Sequence, residues 1–145
     1  MSICVENVSC VYSKGSPFEK VALENISLTI EKGEFIGIIG HTGSGKSTLI
    51  QHLNGLIHPT SGKVTIDGVD LAAKTKAAVA KRHSVGMVFQ YPEHQLFEET
   101  VAKDIAFGPK NLGCSEEETE KRVKSAMKFA GLDYDTFGGR SPFRL

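Results

Sequence analysis

Alternating apolar and polar residues open the chain. Residues 3–11 and 22–30 both follow this two-residue period, which is typical of half-buried β-strands. The turn-forming sequence Lys-Gly-Ser-Pro at 14–17 separates them, so the pattern predicts a hairpin. The uninterrupted apolar run Phe-Ile-Gly-Ile-Ile at 35–39 follows. Strands that are covered on both faces have such runs, and this segment is therefore predicted to be a central strand.

Helical spacing begins at Gly45. The apolar residues from there to Pro59 recur at helical intervals, so a strand is predicted to lead through glycines into a helix. Residues 63–66 and 84–89 predict two further strands, with an Asp-Gly turn at 67–68 and a short helix at about 74–82 between them. The fold class is therefore α/β.

The region after residue 90 has a helical pattern. Ser115 and Glu118 form a predicted capping box, and Gly131 is a predicted helix stop. The apolar stripe between them consists of Val123, Ala126, Met127 and Ala130.

The composition of the chain argues against several classes of function. A chain of 145 residues fits one domain, and its 17 basic and 17 acidic residues are interspersed, which argues against nucleic-acid binding by bulk charge. The three cysteines and five histidines lack the spacing of a disulfide framework or a zinc site. No apolar run approaches the roughly 18 residues of a membrane span, so any membrane role is expected to pass through a partner.

Residues 40–47 carry the candidate chemistry. They read Gly-His-Thr-Gly-Ser-Gly-Lys-Ser, the G-x-x-x-x-G-K-[ST] pattern of a phosphate-binding loop. Glycines let consecutive backbone N–H groups converge on an anion, and the following helix directs its positive dipole end at the same point. We therefore predict binding of a nucleoside triphosphate, ATP by preference. Lys46 is assigned to the β- and γ-phosphates, the Ser47 hydroxyl to Mg²⁺, and the amides from Gly43 to Thr48 to the phosphate cradle.

Alternative triphosphate-binding families fit less well. A small GTPase needs an N-K-x-D box, and the sequence contains no Asn-Lys pair. A P-loop small-molecule kinase usually begins at its phosphate loop, whereas a hairpin-like segment comes first here, so a kinase stays as a weaker alternative. A glycine-rich turn that binds no ligand is the remaining interpretation of the loop.

The order of motifs resembles that of ATP-binding cassette (ABC) domains. An aromatic residue in the first hairpin is followed by the phosphate loop and then by a strand that ends in glutamine, Gly-Met-Val-Phe-Gln at 86–90. Residues 40–54 and 89–101 look like the ATPase subunits of energy-coupling factor (ECF) transporters. The insertion at 16–19 and Thr42 are more similar to the second of that transporter's two ATPase subunits, the type found in cobalt and vitamin importers.

The resemblance implies roles for further residues. Tyr12 would stack on the adenine, and Gln90 would reach Mg²⁺ and the attacking water; their plainer interpretations are a strand tyrosine and a strand-ending glutamine. Leu96 and Phe97 would contact a membrane-embedded partner or belong to the core. Lys46 and Gln90 form the expected catalytic set, and Ser47 and Gln90 the expected Mg²⁺ ligands. The expected nucleotide-binding set is Tyr12, Gly40, Thr42, Gly43, Ser44, Gly45, Lys46, Ser47 and Thr48.

The resemblance also implies a domain organisation. It predicts an N-terminal antiparallel β subdomain with the phosphate-loop core at 1–90, the Q-loop with the start of a helical subdomain at 91–145, and an incomplete core sheet. The family's signature motif, Walker B strand and switch histidine would come after residue 145. Val-Thr-Ile-Asp at 64–67 is followed by glycine and is read as a hairpin, not as a Walker B strand. These 145 residues are therefore expected to bind nucleotide weakly, to turn none over, and to associate through an open sheet edge.

For the complete protein, the resemblance implies an ATPase subunit at the cytoplasmic face of the membrane. It would pair with a second ATPase subunit, identical or different, and act on a membrane-embedded coupling subunit to drive uptake of a micronutrient. A vitamin and a metal ion remain equally open as the solute. The alternative is a non-enzymatic nucleotide-binding fragment.

Overall fold

An antiparallel sheet and a set of short helices make up the fold. The computed structural model describes residues 1–144. Leu145, the last residue of the predicted helical segment 91–145, therefore lies outside the described residues. The sheet has four strands in the order β2-β1-β3-β4. The strands are β1 (Ile3–Tyr12), β2 (Lys20–Ile30), β3 (Ser61–Ile66) and β4 (Val69–Asp70). The helices are α1 (Lys46–Leu53), α2 (Lys76–His83), α3 (Val101–Asn111), α4 (Glu116–Phe129) and α5 (Tyr134–Phe137), with 3-10 turns at Pro92–Gln95 and Pro142–Arg144.

The chain divides into two compact units, and the first contains residues 1–87. A bulge in β1 keeps one face of its sheet buried. Ile3 and Val5 are buried at odd positions, whereas Val8 and Cys10 are buried at even positions. The pairing with β2 shifts between Val5 and Val8, where Asn7 takes a φ of 49°. An inserted residue reverses the side-chain alternation. The bulge therefore returns the second half of β1 to the same core.

The core of this first unit lies between the sheet and α1. Leu49 and Leu53 contribute the buried face of α1. The predicted helix near 74–82 is confirmed as α2, which begins where the Thr75 hydroxyl accepts a hydrogen bond from the Ala78 amide. The buried apolar residues of this core are Ile3, Val5, Val8, Cys10, Leu23, Leu49, Leu53, Val64, Ile66 and Leu71.

The second unit begins at Val88 and is helical. Its core consists of residues from α3 and α4: Val101, Ala106, Val123 and Met127. The predicted capping box of α4 is confirmed in its first half, because Ser115 Oγ accepts from the Glu118 amide. Gly131 follows the helix with a φ of 74°, as the predicted stop requires. Among residues 1–144, no helix combines the length and apolar composition needed to cross a membrane.

The structure contradicts two of the predicted strands, those at 35–39 and 84–89. In the described part of the chain, residues 35–39 and 85–89 take no strand conformation. Phe35 and Ile39 are almost fully exposed, and Val88 is 82% exposed. An apolar run reports that a segment favours burial, but a strand also needs a neighbour that pairs with its N–H and C=O groups. Neither segment has such a ladder among residues 1–144.

Candidate nucleotide-binding site

The loop before α1 depends on glycine. Gly43 and Gly45 have φ values of 83° and 90°, in the left-handed region that other residues avoid. A Cβ on Gly45 would lie 2.4 Å from the backbone oxygen of Ala22, so β2 passes too close for a side chain. The predicted loop is therefore locked against the sheet by a close backbone approach.

Lys46 is the first residue of α1 and folds back over the loop. Its Nζ donates to the carbonyl oxygens of Gly40 at 2.6 Å and His41 at 2.8 Å. The ammonium group is thus held beside the loop by charge-assisted hydrogen bonds. It is placed there by backbone oxygens, an arrangement that the sequence pattern did not reveal.

The amino end of α1 has the properties of an anion site. Its N-cap residue, Gly45, makes no side-chain cap hydrogen bond, and its first turn contains no acidic residue. The first backbone N–H groups of a helix have no intrahelical acceptor, and the helix dipole is positive at this end. With Lys46 beside them, these groups favour a multiply charged anion such as a polyphosphate.

The residues around this helix end also fit Mg²⁺. Ser47 is exposed in the first turn of α1 and offers a hydroxyl oxygen, a hard ligand of the kind Mg²⁺ prefers. Between Met1 and Arg144, no group of three His, Cys, Asp or Glu residues is placed to hold a metal by itself. Mg²⁺ at this place would therefore need phosphate oxygens to complete its coordination.

Tyr12 lies at the end of β1, beside the first turn of α1. Its hydroxyl is 3.3 Å from Thr48 Oγ1, and its side chain is 39% exposed. Enough of the ring is free to contact a ligand. Burial raises the pKa of the neighbouring Cys10 thiol, an effect that a hydrogen bond to Tyr12 partly offsets.

Asp67 belongs to a hairpin, which confirms the interpretation of residues 64–67. Asp67 and Gly68 take φ values of 48° and 77°, as a tight β3–β4 turn requires. The Asp67 carboxylate accepts from Lys81 Nζ at 2.6 Å and from the Ser2 amide at 2.8 Å. These hydrogen bonds, that of Lys81 first, lower the pKa of Asp67. Its role is therefore to tie the turn to α2 and the N-terminus.

The remaining predicted residues lie in the second unit. Gln90 is exposed and, with Phe89, Tyr91, His94 and Gln95, lines an open pocket of about 370 Å³. Leu96 is half-buried, whereas Phe97 is 58% exposed.

An unpredicted residue organises the backbone at Phe97. The Asp104 carboxylate accepts from the amides of Phe97 at 3.2 Å and Glu98 at 3.1 Å. The Phe97 ring also meets Phe107 edge to face, with centroids 4.8 Å apart. Phe97 therefore has a defined orientation despite its exposure. No spacing rule in the sequence connects Asp104 with residues 97 and 98.

The structure thus brings Tyr12, the loop glycines, Lys46, Ser47 and Thr48 together in the first unit. The sequence pattern gives His52 no role in this site. The structure shows that its side chain is buried and that its ring bonds back to the first turn of α1. The signal for its burial was its position between Leu49 and Leu53 on an apolar helix face.

The sequence profile described as ABC transporter matches residues 23–142. The chain belongs to the ABC transporter family. The match includes the phosphate loop, α1 and most of the second unit.

Named relatives confirm the narrower resemblance as well. The energy-coupling factor transporter ATP-binding protein EcfA2 of Clostridium perfringens is 59% identical over 145 residues, which are 100% of this chain and 51% of that protein. The EcfA2 protein of Clostridioides difficile is 54% identical, over 100% of this chain and 50% of its own length. This ABC chain therefore spans about half the length of the curated relatives it matches.

Solved ABC structures confirm the fold class. A dimeric post-hydrolysis state of the ATP-binding cassette MJ0796, bound to ADP and Pi, superimposes with a TM-score of 0.81 at 30% identity, covering 99% of this chain and 62% of that one. The structure of cbiO1 from Clostridium perfringens, part of the ABC transporter complex cbiONQ, gives a TM-score of 0.80 at 36% identity, covering 99% and 55%.

Proposed function

We propose that this chain binds Mg²⁺-ATP at the phosphate loop, as part of an ATP-binding subunit of an energy-coupling factor transporter. In the complete protein, ATP binding and hydrolysis would drive uptake of a vitamin or a metal ion through a membrane-embedded partner. The observation that carries the proposal is the placement of Lys46, which is held at the positive end of α1 next to a glycine-shaped loop.

The loop supplies the phosphate contacts. A polyphosphate offers Lys46 a stronger, fully charged acceptor than the carbonyl oxygens of Gly40 and His41, so the ammonium group would turn from the loop to the β- and γ-phosphates. The amides from Gly43 to Thr48 would surround the same oxygens. Gly40, Thr42 and Ser44 would shape the loop around them.

Separate residues would bind Mg²⁺ and the adenine base. The Ser47 hydroxyl and the Gln90 side chain would hold Mg²⁺, which would neutralise phosphate charge during transfer. Gln90 would also orient the attacking water. The exposed ring of Tyr12 would stack on adenine, a contact worth about 1–3 kcal/mol for an aromatic residue and a base.

The second unit would supply the contact with the membrane-embedded subunit. Phe97 presents an apolar ring whose orientation is fixed by Phe107 and by the Asp104 hydrogen bond to its backbone. Such an exposed, ordered aromatic residue suits a partner's apolar helix, with Leu96 beside it. This arrangement would place the protein at the cytoplasmic face of the membrane, next to a second ATPase subunit.

A second candidate function is nucleotide binding without hydrolysis. It is favoured by Asp67, which among residues 1–144 is the one aspartate that directly follows an apolar strand, because this residue serves a hairpin and has Lys81 as its partner. Because Asp67 is used in this way, no catalytic base is assigned within the 145 residues, and they would bind ATP as part of a larger site.

Ligand selectivity tests the proposal. A fluorescent ATP analogue bound to the purified chain would be displaced by ATP, GTP or inorganic tripolyphosphate. We expect ATP to displace it best, and Tyr12→Ala to weaken ATP binding by at least about fivefold while tripolyphosphate keeps its affinity, because tripolyphosphate has no base to stack. Tyr12→Phe retains the ring and serves as the matched control. Equal displacement by ATP and tripolyphosphate would contradict the assignment of Tyr12.

The contact between Phe97 and the transporter's membrane-embedded subunit is tested separately, with that subunit purified in detergent. Phe97→Ala should weaken co-purification with that subunit. Phe18→Ala is the matched control, since Phe18 is 84% exposed in the β1–β2 loop. Equal losses from both variants, or from neither, would contradict the proposed contact.

A further inference from the structure

A buried histidine lies on the core-facing side of α1. His52 is 1% exposed and ranks among the largest fully buried side chains, together with apolar residues such as Ile66 and Met127. An imidazole loses hydrogen bonds to water when it is buried, whereas leucine or phenylalanine at the same place would not. Its presence in an apolar core therefore indicates a polar interaction.

That interaction uses one ring nitrogen. His52 Nδ1 lies 2.7 Å from the backbone oxygen of Thr48. A carbonyl oxygen only accepts hydrogen bonds, so Nδ1 must carry the proton. In the neutral ring, Nε2 then bears the lone pair, and this buried atom has no hydrogen-bond partner among residues 1–144. The Thr48 carbonyl thus fixes both the tautomer and the orientation of the ring.

The hydrogen bond connects the core to the first turn of α1. His52 is anchored in the last turn of the helix, and its acceptor, Thr48, lies one turn back beside the loop. The Thr48 hydroxyl lies 3.3 Å from the Tyr12 hydroxyl at the end of β1. Thr48 is therefore held from the core side by His52, whereas its hydroxyl lies next to Tyr12 on the sheet side.

We propose that His52 is a positioning residue for the phosphate loop. Its Nδ1–H holds the Thr48 carbonyl, and so sets the direction in which the first-turn amides of α1 meet the phosphates. His52 touches neither the nucleotide nor Mg²⁺ and acts through Thr48. The inference rests on the proposed function, since the loop's ligand is the nucleotide.

Two amide substitutions separate positioning from simple packing. In His52→Asn, the side-chain amide occupies the place of Nδ1 and retains a donor for the Thr48 carbonyl. In His52→Gln, the amide lies at the place of Nε2 and the donor is lost, although the residue stays polar. We expect His52→Gln to weaken Mg²⁺-ATP binding about tenfold, which corresponds to about 1.4 kcal/mol. His52→Asn should stay within about threefold of the unsubstituted chain, since it keeps the hydrogen bond. Equal affinities of the two variants would overturn the proposal.

A nitrogen-15 spectrum of the histidine rings tests the geometry without any substitution. We expect His52 to show a protonated Nδ1 and an unprotonated Nε2, the less common tautomer of free histidine. A spectrum with the proton on Nε2 would overturn the proposal. This measurement uses the unsubstituted chain, so it remains informative even if both variants fail to fold.

Lys46→Ala distinguishes the failure of this proposal from the failure of the proposed function. If Mg²⁺-ATP binding is absent, or is unaffected by Lys46→Ala, the nucleotide assignment fails. The effect of His52 is then read from the backbone amide signals of residues 43–48. They should shift in His52→Gln and return in His52→Asn, and unchanged signals in both variants would overturn the positioning role.

Discussion

At the scale of single residues, backbone geometry decides what the phosphate loop can do. Gly45 combines a φ of 90° with the approach of the Ala22 oxygen, and Lys46 is held by two loop carbonyls. The loop therefore presents its charge and its amides from a conformation that the sheet supports. This support ties the site to the stability of the first unit.

Substitution of Gly45 by alanine should destabilise the chain through both strain and collision. A left-handed conformation costs a residue with a Cβ about 1–2 kcal/mol, and the clash with Ala22 adds to it. Gly15→Ala is the matched control, because Gly15 has a similar φ of 78° and a Cβ added there would meet no other atom within 4 Å. Urea denaturation should show the larger loss of unfolding free energy for Gly45→Ala. Equal losses in both variants would contradict the close approach of β2.

The residue types of the site were predictable from the sequence, but their contacts were not. The loop pattern identifies Lys46 and Ser47 because phosphate chemistry demands those types at that spacing. It contains no information on the hydrogen bonds from Lys46 to Gly40 and His41, nor on the partner of His52. Such contacts depend on side-chain torsions and on chain segments distant in sequence.

At the scale of elements, periodicity succeeded where a segment's neighbours are present. The strands β1 to β3 and the helices α1, α2 and α4 follow the predicted patterns, since each packs against elements within residues 1–144. The prediction of a buried central strand at 35–39 is wrong: the segment takes no strand conformation, and Phe35 and Ile39 are almost fully exposed. Its apolar side chains carry no information about which segment would pair with them.

The helix α4 should become less stable in acid. Hydrogen bonds from Arg122 and Lys124 lower the pKa of Glu118 and Glu120 below their ordinary value of 4.5. Their contribution is complete above the pKa of the unfolded chain, and it is lost as the pH falls through the lower folded-state values. Circular dichroism should show a lower melting temperature at about pH 3 than at pH 7. The double variant Glu118→Gln and Glu120→Gln should show a smaller dependence on pH; an unchanged dependence would exclude these ion pairs as its source.

At the scale of the whole molecule, exposed apolar residues predict association. Phe35 and Ile39 are 101% and 96% exposed, and apolar segments with unpaired backbone groups favour contact with other chains. The chain should elute earlier from size exclusion as its concentration rises. The double variant Phe35→Ser and Ile39→Ser should reduce this shift more than Phe129→Ser, a control at a residue that is 96% exposed on α4. A monomer at every concentration would contradict the prediction.

Calorimetric titration of Mg²⁺-ATP into the purified chain tests the central claim most directly. Lys46→Ala removes the ammonium group from the loop, and Lys74→Ala, at an exposed lysine before α2, is the matched control. We predict saturable heat for the unsubstituted chain and for Lys74→Ala, and at least about tenfold weaker binding for Lys46→Ala, because charged hydrogen bonds to phosphate are lost. Phosphate release from the same samples should be absent. Binding that is equal in all three proteins, or absent from the unsubstituted chain, would contradict the assignment of the phosphate loop.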